Sequence, residues 1–239
     1  MKGKHVLTQA SQKNENLTAH SFFDSFFSGL NSNAAGWGLP QEHPAHTAII
    51  QQDTPATAVY YVESGLLKLS RIDRTGHEVI AGLRRRHWLI GAPAVLLGKQ
   101  YSFTITTLVP CRLRSISAEK LLNLVETDIH FSRELLSLLS QEIFIHGKNF
   151  VNLGCLPAKD RLKRLLYELI TELELPSDPK RQDKIQMPLK HREMAQMIAV
   201  TPEHLSRLLK ALKHEGVIER DGIWLTVRNV GGLMAECKI

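Results

Sequence analysis

Cysteine is scarce in this chain. There are three among 239 residues, Cys111, Cys155 and Cys237, far apart and with no CxxC pair. That spacing excludes a disulfide framework and a paired-cysteine zinc or redox motif, and it fits a cytoplasmic protein with reduced thiols. An iron–sulfur sensor needs four cysteine ligands, so a cluster within one subunit is disfavoured. Long apolar runs are also missing. No stretch reaches the roughly 18 residues of a membrane span, and the N-terminus, MKGKHVLTQASQKNEN, lacks a signal peptide's apolar core. There is no nucleophile elbow and no phosphate loop, which removes the commonest motif-borne enzyme classes.

The composition supports real cores. At 43% hydrophobic residues over 239 positions, the chain is long enough for two domains. A formal charge of +6 is compatible with a polyanionic partner without arguing for one.

Texture changes along the chain. Residues 1–20 read as a flexible tail. SFFDSFFSGL, around 21–30, has apolar residues at helical spacing, and Asn31–Gly38 reads as a loop. From about 45 to 117 the chain turns β-rich, with TAIIQQ, AVYYVESGLLKLSRID, HEVIAGL, YSFTITTLV and CRLRSI separated by turn signals at Ser64-Gly65 and Thr75-Gly76. Many short strands with frequent turns imply an antiparallel barrel or roll, not a parallel sheet. Ser117 is placed to N-cap a short helix, AEKLLNLV.

Residues 128–154 carry the longest helical pattern. One stripe holds Ile129, Leu136, Leu139, Ile143, His146, Phe150 and Leu153; a second holds Phe131, Leu135, Leu138 and Ile145. A helix with two apolar faces must bury both. One face can lie on the β domain and the other on the same helix of a second subunit; the alternative is burial within one subunit. Cys155-Leu156-Pro157 ends this helix. An amphipathic helix at Lys159–Leu173 and a polar loop at Leu175–Gln186 follow.

Lys190–Arg207, KHREMAQMIAVTPEHLSR, reads as two short helices joined by a tight turn. VIERDGIWLTV, centred on Asp221-Gly222, then reads as a hairpin. Two helices followed by a hairpin make a winged helix-turn-helix, whose second helix enters a DNA groove. Thr201 can cap that helix, with Pro202 at its first position. Glu203, Ser206 and Arg207 share one face. Arg207 suits guanine O6 and N7, Glu203 a cytosine amine, and Ser206 a base edge or thymine methyl. The competing reading is that Glu203 and Arg207 simply form a surface pair. Phosphate contacts fall to Lys190, His191, Thr201, His204 and Lys210.

On these residues the chain resembles the CRP/FNR family, the cyclic-AMP receptor and fumarate–nitrate regulator proteins. The resemblance implies an α+β chain: an N-terminal antiparallel β-roll sensor (21–125), a long dimerisation helix (126–156; Leu136, Leu139, Ile143, His146, Phe150) and a C-terminal winged helix-turn-helix (157–239). The E-x-x-S-R arrangement from Glu203 to Arg207 resembles the fumarate–nitrate type, which implies a TTGAT-like half-site in an inverted repeat. It also implies a homodimer on double-stranded palindromic DNA, with RNA polymerase as a partner if the protein activates. Two positions depart from the family pattern. Ala199 stands where the turn often has glycine, and Lys190 stands at a helix cap although its side chain cannot accept hydrogen bonds.

The same resemblance bears on the sensor. Within Trp88–Leu108, Gly91 is retained and Ser102 matches the phosphate-binding serine of the cyclic-AMP branch. Ala92 replaces the glutamate and Tyr101 the arginine. Without that arginine a cyclic phosphate loses its charge partner, so cyclic AMP is disfavoured. A less charged or apolar effector fits the LIGAPAVLL lining better, in a pocket at Gly91, Tyr101 and Ser102; the alternative is that this apolar stretch is plain core. No metal site is expected: His43 and His46 lack further ligands. Haem held by a single histidine remains compatible with the sequence. Arg84-Arg85-Arg86-His87 reads as the cap of a solvated surface loop, with contact to RNA polymerase or the DNA flank as the alternative. The competing function is a cupin-like metal enzyme fused to a winged helix, for which His77, Glu78, His87 and Glu63 are the candidate ligands, without a repeated motif.

Overall fold

The computed structural model describes residues 38–172 and 184–234. The expected tail, the helix near 21–30, most of the loop before Gly38, most of the polar loop after the second amphipathic helix, and Cys237 lie outside the described residues.

Eight strands build the first domain: β1 (Gln41–His43), β2 (Ala48–Ile50), β3 (Ala58–Ser64), β4 (Leu66–Ile72), β5 (Glu78–Arg85), β6 (Leu89–Ile90), β7 (Thr104–Thr107) and β8 (Cys111–Ser117). They form two antiparallel sheets, ordered β1-β8-β3-β6 and β2-β7-β4-β5. The β8 sequence shows how pattern becomes register. Cys111 and Leu113 are buried while Arg112 and Arg114 point outward to Glu63. The β3–β4 turn needs a glycine: Gly65 has φ 102°, and a Cβ there would collide with the Cys111 sulfur. Between the sheets lie Ile50, Val62, Leu67, Leu69, Trp88, Ile90, Tyr101 and Ile105.

Three helices follow or interrupt the roll: α1 (Ala92–Leu96), α2 (Ala118–Thr127) and α3 (Ile129–Cys155). Ser117 caps α2 by accepting from the Lys120 amide at 3.3 Å, as its sequence position implies. Asp128 caps α3 by accepting from the His130 and Phe131 amides. One face of α3 packs Phe131, Leu135 and Leu138 against Val59, Tyr61 and Ile116 of the roll.

The second domain holds α4 (Ala158–Glu172), β9 (Lys184–Gln186), α5 (His191–Met197), α6 (Pro202–His214), β10 (Ile218–Asp221), β11 (Trp224–Val227) and α7 (Val230–Met234). The last residues of the expected polar loop are in fact strand β9, which pairs with β11 and widens the hairpin to three strands. KIQ is too short to show alternation, so only the β11 partner reveals it. The short strands β1 and β6 escape the sequence pattern for the same reason.

The two domains touch through β4 and α5. The inner face of β4 carries Leu67 and Leu69 into the roll, while its outer face puts Leu66 into the core of the second domain. Lys68, on that outer face, is 8% exposed. Its ammonium donates to Glu193 of α5 at 2.6 Å and pairs with Glu78 at 2.9 Å. Burial pulls the Lys68 pKa down, but the two carboxylates outweigh it and leave it raised. Gln196 adds a bond from its side chain to the Glu78 carbonyl at 3.0 Å. Removing the cation would strand a shielded carboxylate, so Lys68→Met should cost about 3 kcal/mol in urea unfolding. A loss under about 1 kcal/mol, the range of exposed pairs, would show that water screens this contact.

Candidate nucleic-acid interface and sensor cavity

The helix pair forms where the sequence places it. Thr201 caps α6, its hydroxyl accepting from the His204 amide at 3.2 Å, and Pro202 occupies the first turn. The cap of α5 works in one direction only. The Lys190 amide donates to Glu193 at 2.7 Å, while the lysine side chain cannot reciprocate. Ala199 holds φ 51°, the left-handed conformation anticipated for a glycine position. The turn is closed by bonds from the Ala199 amide to Gln196 and from the Val200 amide to Ala195, both 3.0 Å. Leu205, Leu209 and Leu212 of α6 are buried with Met194, Ala195 and Ile198. The opposite face leaves Glu203, Ser206, Arg207 and Lys210 exposed in one row.

The surface-pair alternative is only partly realised. The Glu203 carboxyl lies below its ordinary value through its own free amide at the helix N-terminus, then the Thr201 hydroxyl, with Arg207 acting at longer range. Ser206 is engaged locally. Its hydroxyl donates to the Pro202 carbonyl at 3.1 Å and meets His191 Nε2 at 3.3 Å. His191 therefore packs behind Ser206 on the exposed face of α6. Burial lowers the His191 pKa, as does Arg220 from the wing, against the pull of Glu203.

Sequence reading missed Arg161 of α4. Its Nε donates to the Ile198 carbonyl in the turn at 2.9 Å, and its Nη1 donates to Leu156 at 2.7 Å and Leu153 at 3.1 Å. One guanidinium thus ties the end of α3 to the helix-turn-helix. No sequence signal marks it among the many basic residues of amphipathic helices.

On α3, Ile129, Leu136, Ile143 and Phe150 recur every seven residues and are 66–79% exposed. Leu139 is half-buried on the roll side. His146 accepts from Arg84 Nη2 at 3.2 Å and meets the Trp88 ring edge-on.

A cavity of about 150 Å³ lies between the roll, α1 and α3. Gly91, Tyr101 and Ser102 all line it. A Cβ on Gly91, at φ 88°, would lie 2.9 Å from the Tyr101 ring. The Tyr101 hydroxyl is committed to the backbone: it donates to the Ala58 carbonyl at 2.5 Å and accepts from the Ala58 amide at 3.1 Å. The Ser102 carbonyl accepts from Arg71 at 2.6 Å.

The basic run corrects the sequence reading. Arg84 is not on a solvated loop. It closes β5 opposite Leu67, on the inner face of the sheet, and is 8% exposed. Its guanidinium lies 4.2 Å from the centre of the Trp88 ring, a cation–π contact. Burial holds its pKa down at about 10, with Glu142 of α3 pulling the other way. Glu142 is pushed up to about 7 by burial, against the attraction of Arg84. The cavity therefore carries charge where an apolar lining was expected. Burial pushes the Cys111 thiol up to about 11, and Cys111 serves as a small core residue.

Two family descriptions match this architecture in chain order: "Cyclic nucleotide-binding domain" over residues 40–128 and "Crp-like helix-turn-helix domain" over residues 160–236. The chain belongs to the CRP/FNR family of transcription regulators. It is 24% identical over 187 residues to the cAMP-activated global transcriptional regulator CRP of Haemophilus influenzae, covering 78% of this chain and 82% of that protein. It is 25% identical over 188 residues to the CRP-like protein Clp of Xanthomonas campestris, covering 76% and 80%. Among solved structures, FixK2 of Bradyrhizobium japonicum shares the fold at TM-score 0.70 and 19% identity, covering 84% of this chain and 98% of that one. As a CRP/FNR member, this chain is a DNA-binding transcription regulator with a cyclic-nucleotide-binding-like domain.

The turn provides a direct check of its own geometry. Ala199→Gly relieves a left-handed alanine at an exposed position and should raise stability by about 1 kcal/mol. A lower Tm for the variant would contradict the left-handed turn.

Proposed function

We propose that this chain works in the cytoplasm as a homodimer that reads a TTGAT-like inverted repeat through Glu203, Ser206 and Arg207. The observation that carries this reading is the single exposed row of those side chains on α6, capped by Thr201 and flanked by the wing. Lys190, His191, Thr201, His204 and Lys210 surround the row and supply phosphate contacts. RNA polymerase is the further partner where the site position makes the protein an activator.

Homodimerisation is supported by α3. Ile129, Leu136, Ile143 and Phe150 fall at one heptad position and are exposed, as is Leu153, while Leu139 and His146 of the same sequence stripe turn toward the roll. A repeat of seven keeps an apolar seam facing a partner helix, and two recognition helices then meet two half-sites.

The roll is the sensing domain, with the cavity at Gly91, Tyr101 and Ser102 as its effector pocket. Cyclic AMP is disfavoured because Tyr101 stands at the expected arginine and spends its hydroxyl on Ala58. The cupin-like alternative lacks support: among the described residues no three His, Cys, Asp or Glu side chains cluster as a metal-binding group.

Arg207→Ala should abolish preference for the palindrome over scrambled DNA in fluorescence anisotropy at fixed salt, each lost guanine contact costing roughly 1–3 kcal/mol. Retained preference would refute base reading by Arg207. Ile143→Glu should halve the molecular mass seen in sedimentation by placing like charges in the apolar seam. An unchanged mass would put the dimer contact elsewhere.

A further inference from the structure

The cavity under α3 holds two groups that the protein itself leaves incompletely satisfied. Arg84 is buried, and its hydrogen bonds use one N–H toward the Leu83 carbonyl and one toward His146. A guanidinium carries five N–H donors, so donors remain. Glu142 enters the same cavity from α3, and its Oε1 is buried with no hydrogen-bond partner. Among the described residues, the Arg84–Glu142 attraction is coulombic without a closed ion pair. Two buried polar groups facing one space, neither satisfied by the other, describe a site with a missing partner.

Size and lining restrict that partner. A cavity of about 150 Å³ is the size that accepts a benzene ring. A nucleotide, with a base, a sugar and a phosphate, needs far more. Leu69, Leu89, Ile90, Phe103 and Ile105 supply apolar wall, and charge is confined to the Arg84–Glu142 end. An ammonium on the ligand would find one carboxylate and few other acceptors, since the Tyr101 hydroxyl and the Ser102 carbonyl are already engaged.

We propose that this cavity binds a small organic monoanion, about one ring in size, with its carboxylate held between the Arg84 guanidinium and a protonated Glu142. This deepens the effector-pocket reading and rests on it. The ligand's apolar body fills the wall between Gly91 and Phe103. Glu142 takes one proton from solvent and donates it in a hydrogen bond to the ligand carboxylate, so Arg84 and the ligand carry the only charges at that end. Because Glu142 belongs to α3 and Arg84 to β5, the ligand bridges the roll to the helix that leads to the DNA-binding domain. The position differs from that of the arginine the resemblance leads one to expect, which here is Tyr101.

Affinity should fall as pH rises through about 7, the value to which burial pushes Glu142. The other titratable groups around it are Arg84 on β5, Arg85 and His87 beside Trp88, Tyr101 before β7, and His146 on α3 itself. Glu142→Gln separates their effects from its own: it keeps a donor and should flatten the pH response while retaining binding.

The test is titration calorimetry on the full chain without DNA, using benzoate, its neutral isostere benzamide, and the zwitterion L-valine. We expect saturable benzoate binding, with benzamide weaker by about tenfold or more, as befits a hydrogen bond to a charged group. Arg84→Gln should lose benzoate by a similar factor. Ala94→Leu, which narrows the cavity while leaving Arg84 in place, should lose it too. Equal affinity for benzamide would make the site merely apolar and overturn the proposal. Tighter binding of L-valine would make it a zwitterion site and also overturn it. No saturable benzoate heat, or full affinity in Ala94→Leu, would remove the site altogether. These readouts involve no DNA, so failure of palindrome recognition leaves them unaffected, and their failure leaves the DNA reading intact.

Discussion

Phe131, Leu135 and Leu138 leave water against the back of β3 and β8, and that burial sets the rotation of α3 about its own axis. Each such side chain contributes roughly 1.5–3 kcal/mol when fully buried, enough together to exclude other rotations. With the rotation set, the seven-residue series from Ile129 to Phe150 must face outward. Glu142 must face the roll cavity, and His146 must reach Arg84. The proposed dimer seam and the proposed effector site are thus two consequences of one packing decision. A ligand that moves α3 at Glu142 acts on the helix that carries the seam.

Polar contacts couple the second domain to the first, beside the apolar packing of Leu66 and Leu108 into its core. Lys68 reaches from β4 to Glu193, which at the same time caps α5 through the Lys190 amide. Arg161 joins the end of α3 to the turn before α6. Both contacts end on the helix-turn-helix, so the orientation of the exposed row on α6 depends on two buried or half-buried cations. Such groups favour one geometry sharply, because a displaced partner leaves a charge or carbonyl unsatisfied.

The second helix of the helix-turn-helix, α6, was the most legible part of the chain. Its cap, its N1 proline, its buried leucines and its exposed row all follow from local spacing, and Thr201, Pro202 and Leu205 occupy the places that spacing assigns. The left-handed turn at Ala199 was visible as a departure from a glycine pattern. The charged cavity was not legible. Arg84 sits in a run of three arginines that looks solvated, and a register shift in β5 opposite Leu69 and Ser70 breaks the simple alternation that would place it. Glu142 lies between two apolar stripes on α3, where charge ordinarily meets water.

The chain's own periodicities determined the longer strands and helices, the caps at Ser117 and Thr201, and which side chains α6 presents, because these depend on neighbours within a turn or two. Only the tertiary structure decided that β4 is buried on both faces, that Arg84 turns inward beside Trp88, that Tyr101 spends its hydroxyl on Ala58, and that Glu142 is left without a partner. Those outcomes depend on contacts between residues far apart in sequence. The solvent lost by a charged side chain is a property of the whole packed environment, which no local pattern encodes.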